Sequence, residues 1–213
     1  MNDPCINTLL KFETFSQFPE IVHGFSLRTC SGKNEIIPAA EVLASYGYEA
    51  STLVQAEQIH GNQVKAVDQS YAGTTIHRAD GLVTQSSDIL LVIRTADCGA
   101  LFIFDPEHRA VGLAHSGKKG TQLNIAETVV TAMSRTYQSD PQKLIAALSP
   151  CIRPPHYETD FAHMIASQVY ASGIRHFTDC GENTATDLNR FYSYRSEKGK
   201  TGRHYAFIGI VSG

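Results

Sequence analysis

The stretch Ile89–Gly120, ILLVIRTADCGALFIFDPEHRAVGLAHSGKKG, decides how the rest of the chain is read. Ile89–Ile93 and Ala100–Phe104 are short apolar runs rich in β-branched and aromatic residues. Their length suits strands covered on both faces. Asp105–His108, reading DPEH, is a turn signal, and Ala110–Ala114 is a third strand candidate. Residues that carry chemistry gather at the strand ends: Asp97 and Cys98 after the first, His115 after the third. Neighbouring strands bring their ends together, so Cys98 and His115 can approach within one coordination sphere. Loops held by a rigid sheet are common places for chemistry.

Outward from this stretch, strands and helices alternate. Val22–Phe25, Gln63–Val67 and Gly81–Val83 read as strands, and Gly73–Arg78 as a polar loop. Pro38–Tyr46 reads as a short helix that Gly47 stops, and Thr29–Asn34 as a loop. Thr121 or Asn124 can cap a helix running to about Tyr137. Leu123, Ala126, Val129, Val130, Met133 and Tyr137 fall on one of its faces. Leu144–Leu148 is another strand. Ser149–His156, with three prolines, is a rigid loop. Asp160 caps a second helix that Gly173 ends, and Ile174–Phe177 and Tyr205–Val211 look like later strands. No repeat, linker or low-complexity segment divides residues 1–213. The expectation is one domain of the α/β (α+β) class.

Composition narrows the function classes. A net charge of −3 over 213 residues gives no basic field for nucleic acid or an anionic membrane. No apolar run approaches the roughly 18 residues of a membrane span. The start, MNDPCINTLLKFE, shows no secretory signal, and five cysteines, an odd number and widely spaced, do not read as a disulfide framework. A cytoplasmic protein of small-molecule chemistry is expected.

Several short motifs, none specific alone, occur in one order along nearly the whole chain. They are His23–Ser26 (HGFS) with Arg28, Gln58–Gly61 (QIHG), Ala79–Thr84 (ADGLVT), ADC at Cys98 and HSGKKG at His115. Ser149–Ile152 with Tyr157–Glu158, then Ser193–Arg195 with Thr201–Arg203, complete the series. Together they resemble the laccase-domain family, also labelled multicopper polyphenol oxidases, peptidoglycan editing factors and purine nucleoside phosphorylases. The resemblance implies a layered sandwich of mixed sheets covered by helices and the activity of a zinc-dependent purine nucleoside phosphorylase. Its implied substrates are adenosine, inosine, guanosine and S-methyl-5′-thioadenosine, with phosphate as partner and adenosine deamination beside phosphorolysis.

His60, Cys98 and His115 form the leading constellation. Thiolate and imidazole are good zinc ligands, and three protein ligands leave a fourth position open. From spacing alone, positions 60, 98 and 115 match no metal-binding finger, and a buried cysteine beside two structural histidines is the simpler reading. The resemblance assigns all three as metal ligands. Copper fits less well. A blue-copper site wants an axial methionine, neither Met133 nor Met164 lies beside a ligand motif, and the chain has no His-x-His pair.

SGKKG enters a helix, which offers backbone N–H groups to an anion, with Ser116, Lys118 and Lys119 as candidate phosphate ligands. Lys118 and Lys119 stand where the family carries tryptophan and arginine, and lysine lacks the bidentate fork. Arg28 and Arg195 are candidate catalytic clamps on an oxyanion or phosphate. Tyr157 can stack on or hydrogen-bond a substrate, and Asp97 can orient a ligand. A segment that family members carry after the YE motif is short here, implying a more open site in a monomer or one completed in a homodimer. Two other readings stand beside the first. One is a metal-free hydrolase or deamidase, with Cys98 as nucleophile and His115 as base, acting on substrates such as peptidoglycan precursors. The other is a catalytically weakened paralogue.

Overall fold

A strand that is apolar on both faces needs cover on both, and four strands here are of that kind. In the computed structural model, which describes residues 9–29 and 35–212, the elements follow in chain order. They are β1 (Leu9–Leu10), β2 (Ile21–Ser26), α1 (Ala39–Ala44), β3 (Leu53–Ala56), β4 (Val64–Ala66), β5 (Thr75–Ile76), β6 (Gly81–Thr84) and β7 (Leu90–Thr95). Then come β8 (Gly99–Asp105), β9 (Ala110–Ser116), α2 (Lys118–Gln122), α3 (Ile125–Tyr137), β10 (Ile145–Leu148), α4 (Phe161–Ala171), β11 (His176–Asp179) and β12 (His204–Ile210).

Two mixed sheets result, ordered β1-β2-β12-β7-β3-β5 and β11-β10-β8-β9-β6-β4. The period-2 alternation of a strand sorts the side chains into layers. Along β8, Ala100, Phe102 and Phe104 enter the core between the sheets, while Leu101 and Ile103 enter the core under α3 and α4. Along β7, Leu91 and Ile93 point inward, and Leu90 and Val92 join Val42 and Leu43 of α1. β12 repeats the pattern, with Ala206 and Ile208 inside and Tyr205 and Phe207 outside. The order is therefore helix, sheet, sheet, helices, the layered sandwich that the family resemblance implied. Gly112 of β9 lets α3 lie close: a Cβ there would sit 3.1 Å from Met133 Sδ and 3.2 Å from Val129 Cγ2.

Local details depart from the expectation in places. The polar loop Gly73–Arg78 contains edge strand β5, which pairs parallel to β3. Leu123, expected on the buried face of α3, is the C-cap of α2 and is exposed. The last parallel strand is His176–Asp179 rather than Ile174–Phe177. Of the loop Thr29–Asn34, only Thr29 is among the described residues. No helix among the described residues is long and apolar enough to cross a membrane. The β7–β8 connection, the end of β9 and the turn after β3 meet at one edge of the sandwich. Residues 180–203, mostly irregular, fold over the same edge.

Candidate metal centre and substrate cavity

Antiparallel pairing of β8 with β9 sets Ala100 opposite His115 and Gly99 opposite Ser116. Cys98, one residue before β8, is thereby placed beside His115. His60 arrives from the turn after β3, in a left-handed conformation with φ of 60°. Gln58 fastens that turn to β7: its Nε2 donates to Arg94 O (2.7 Å), and Arg94 N donates to its Oε1 (2.8 Å). The ligand atoms of His60, Cys98 and His115 lie within 4.8 Å of one another, so the three residues can hold a metal ion.

Asp80 organises this group. It is fully buried. Its carboxylate accepts from the backbone N–H groups of Ile59 (3.2 Å), His60 (2.9 Å) and Gly61 (2.7 Å), and from His115 Nδ1 at 3.1 Å. Donation by Nδ1 leaves His115 Nε2 as the ligand atom, the usual arrangement for a metal-binding histidine with a carboxylate behind it. Burial works against the Asp80 charge, but the bond from His115 and those from Gly61 and Ile59 hold its carboxyl below the ordinary range. Burial likewise pushes the Cys98 thiol up, yet His115, by charge and by hydrogen bond, and then His60 bring it below the usual cysteine value. The reciprocal effect on His115 is upward: burial opposes its charge, and Cys98 and Asp80 outweigh burial. Thiolate character at Cys98 is what a metal ligand or a nucleophile requires. Gly117 completes the cradle, because a Cβ at that position would fall 2.6 Å from Cys98 Sγ.

The group opens into a cavity of about 810 Å³. Five cations line it: Arg94, Lys118, Arg195, Lys198 and Arg203. Ile152, Phe161 and Tyr157 supply apolar surface. Lys118 Nζ donates to Glu158 Oε1 (3.4 Å) and Arg195 Nη2 to Glu158 Oε2. Both cations lie over the Tyr157 ring, at 5.9 and 4.8 Å from its centroid.

The expected ligands His60, Cys98 and His115 are thus brought together, and Lys118, Tyr157 and Arg195 reach the same cavity. Others are elsewhere. Arg28 is not among the lining residues; its Nη2 donates to Glu197 Oε1 (2.7 Å) and its Nη1 to Phe191 O (3.1 Å), which pins the 191–197 segment. Ser116 is fully buried against Thr121 Oγ1 (2.9 Å), and Lys119 is exposed and lines nothing. The expected helix to Tyr137 is α3, with Asn124 as its N-cap, but SGKKG leads first into α2, a single turn of five residues, too short for a developed dipole. Asp97 orients a backbone rather than a ligand. Its Oδ2 accepts from Arg195 N and its Oδ1 from Thr184 Oγ1, both at 2.7 Å. Met133 lies on the buried face of α3, and neither it nor Met164 lines the cavity. The reading of the sequence missed the roles of Asp80, Gly117, Gln58 and the cations Arg94, Lys198 and Arg203. Asp80 did have a signal, its place in the ADG motif.

Known proteins share the sequence pattern and the fold of this chain. The family described as multi-copper polyphenol oxidoreductase laccase matches residues 38–162 and 155–211. A purine nucleoside phosphorylase of Deinococcus radiodurans is 32% identical over 198 residues, covering 80% of this chain and 75% of that protein. The purine nucleoside phosphorylase YlmD of Bacillus subtilis is 27% identical over 215 residues, covering 83% and 77%. Among solved structures, YlmD from Geobacillus stearothermophilus superposes with a TM-score of 0.88 at 23% identity, covering 98% of this chain and 100% of that one. A Bacillus licheniformis protein, YfiH, gives 0.84 at 21% identity, covering 96% and 97%. Both share the two-sheet fold.

Proposed function

The chain belongs to the multi-copper polyphenol oxidoreductase laccase family, and from that membership we propose that it is a zinc-dependent purine nucleoside phosphorylase. The observation that carries the reading is one cavity with a His-Cys-His group in its floor and cations on its walls. Adenosine, inosine, guanosine and S-methyl-5′-thioadenosine are the substrates, inosine also being the product of adenosine deamination in the same pocket. Three free cysteines among the described residues, Cys98, Cys151 and Cys180, fit a reducing, cytoplasmic setting.

In phosphorolysis a phosphate oxygen bonds to the ribose C1′ as the C1′–N9 bond breaks. The electron pair leaves with the base, which takes up a proton. Arg195 and Lys118 hold the phosphate, and Asp97 fixes the Arg195 backbone from beside Cys98. Tyr157 and Phe161 offer ring surface to the base. Asp80 keeps His115 in the tautomer that presents Nε2. His60, Cys98 and His115 hold zinc, which supplies Lewis acidity at the cavity floor. The two-histidine, one-thiolate donor set suits zinc, and neither Met133 nor Met164, the methionines among the described residues, lines the cavity as an axial copper ligand would.

The test is incubation of the purified protein with adenosine, with and without phosphate, resolving adenine from inosine. Phosphate-dependent adenine is expected, lost in Cys98→Ala. Turnover equal to that of Cys98→Ala under both conditions would overturn the reading. A second reading rests on a specific observation, the line Cys98–His115–Asp80 of a thiol, a histidine and a buried carboxylate. That line is the arrangement of a cysteine hydrolase or deamidase. Activity that survives full chelation, in protein purified without stoichiometric metal, selects it.

A further inference from the structure

The five cations of the cavity divide by what they face. Lys118 and Arg195 share one carboxylate, Glu158. Arg94, Lys198 and Arg203 have no ion-pair partner among the described residues. The standing positive potential of the cavity therefore lies on the second wall, not on the basic loop after His115.

That wall is built. β12 runs antiparallel to β7, with Tyr205 opposite Arg94. Arg203, two residues before Tyr205, stands diagonally beside Arg94, at roughly 7–8 Å between backbones, within reach of two long side chains. Arg203 Nη1 donates to Thr201 O (3.1 Å) and Gly202 O (2.8 Å), and its guanidinium lies 5.8 Å over the Tyr194 ring. Lys198 adds a third cation from the turn beside Gly199, where a Cβ would sit 3.3 Å from the Tyr194 ring. Tyr194 and Ile36, each 54% exposed, form an apolar shelf next to these charges. Two guanidinium forks and an ammonium suit a phosphate dianion. An apolar shelf beside them suits the flat or sugar part of the same molecule.

Resting on the phosphorylase reading, which places the co-substrate phosphate at Lys118 and Arg195, we propose that Arg94, Lys198 and Arg203 form a second phosphate subsite, and that the cavity takes purine nucleoside 5′-monophosphates. A volume of about 810 Å³ lies toward the upper end of the range for small-molecule sites, with room for a second phosphate group. Phosphorolysis of such a substrate forms a bond from inorganic phosphate to C1′ and breaks C1′–N9. The base leaves with the electron pair and takes up a proton, and the sugar keeps its 5′-phosphate, leaving as ribose 1,5-bisphosphate.

The experiment measures binding of adenosine, adenosine 5′-monophosphate and inorganic phosphate to the metal-loaded protein by calorimetry, beside turnover of each nucleoside form. The monophosphate is expected to bind about tenfold or more tighter than adenosine. That ratio should collapse in Arg94→Gln and in Lys198→Gln. Arg203→Lys, which keeps the charge, should retain more of it than Arg203→Gln. Equal binding of adenosine and the monophosphate, with adenosine still cleaved, overturns the subsite and leaves the phosphorylase reading in place. Charge-dependent preference for the monophosphate without any phosphorolysis does the reverse. If inorganic phosphate alone displaces the monophosphate and the variants act only through phosphate, the wall belongs to the co-substrate and the proposal falls.

Discussion

His115 and His204 are both buried, one at the cavity edge and one inside the sheet that holds β12, and their surroundings drive them in opposite directions. Beside His115 stand the Asp80 carboxylate and the Cys98 thiol, and its pKa is raised in spite of burial. The hydrogen-bond partners of His204 are both backbone groups: Nε2 accepts from Tyr192 N (2.8 Å), and Nδ1 donates to Ser26 O (2.7 Å), while the more distant charges of Arg28 and Glu197 oppose one another. Burial then dominates, and its pKa falls to about 4. His23 is of the second kind, with Nε2 accepting from Phe12 N (3.0 Å) and its pKa also lowered to about 4, first by burial and then by Lys11. Burial alone therefore says little about a histidine. Acidic neighbours make it a ligand or a base, and backbone neighbours make it a structural peg.

The sharpest way to break this contrast is substitution of both histidines. His115→Ala, and equally Cys98→Ala or His60→Ala, should leave a folded protein that has lost its stoichiometric metal. His204→Ala should retain metal binding in whatever fraction folds. Its stability should fall by about 2–5 kcal/mol in denaturant titration, since two buried backbone groups lose their partners. Metal content that tracks His204 as closely as His115 would dissolve the distinction.

Acid titration tests the pegs directly. A histidine of ordinary value 6.5 in the unfolded chain and about 4 when folded contributes its full stability above pH 6.5. Between 6.5 and about 4 the unfolded state binds the extra proton, so stability falls as pH falls. The loss is roughly 3 kcal/mol for each of His23 and His204. Denaturation midpoints measured from pH 7 to pH 4 should show the decline, and His23→Gln should reduce its slope. A flat profile would mean these histidines are not held neutral.

Asp80→Asn is expected to have the next effect. An amide cannot accept all the backbone N–H groups that the carboxylate gathers, nor set the His115 tautomer by charge. Metal affinity should weaken about 10–100-fold, the usual range for a partner behind a ligand, read by competition with a chelator. Smaller still is Glu158→Gln, which frees Lys118 and Arg195. The phosphate KM should drop a few-fold, on the scale of an exposed ion pair, and the drop should shrink in high salt. At the end of the series is Lys119→Ala, whose side chain lines nothing. Its phosphate KM should match wild type within about twofold, and a larger rise would return the anion site to the SGKKG loop.

The layering was readable because alternation along β7, β8 and β12 is a local signal repeated several times. The ligands were readable as residue types placed at strand ends. Asp80 was visible as a letter in a motif but not as a hub, since three of its partners are backbone N–H groups some twenty positions away, which leave no mark in side-chain chemistry. Arg94 and Arg203 meet through strand register, which hydrophobic pattern constrains only in parity. The SGKKG loop misled for another reason. A glycine-bounded basic run reads as an anion loop, but Gly117 is needed for its closeness to Cys98 Sγ, and only one of the two lysines turns toward the cavity.

Asp97 stands next to Cys98 in the chain, yet its carboxylate holds the backbone of Arg195, while Arg28 holds Glu197 two residues further on. The stretch that decorates the cavity is therefore not a detachable module. A designer who transplants residues 193–203 into a relative to change its substrate range must carry Asp97 and Arg28 along. Inheritance faces the same constraint, so a change in residues 193–203 is filtered through Asp97, the neighbour of Cys98 in the chain.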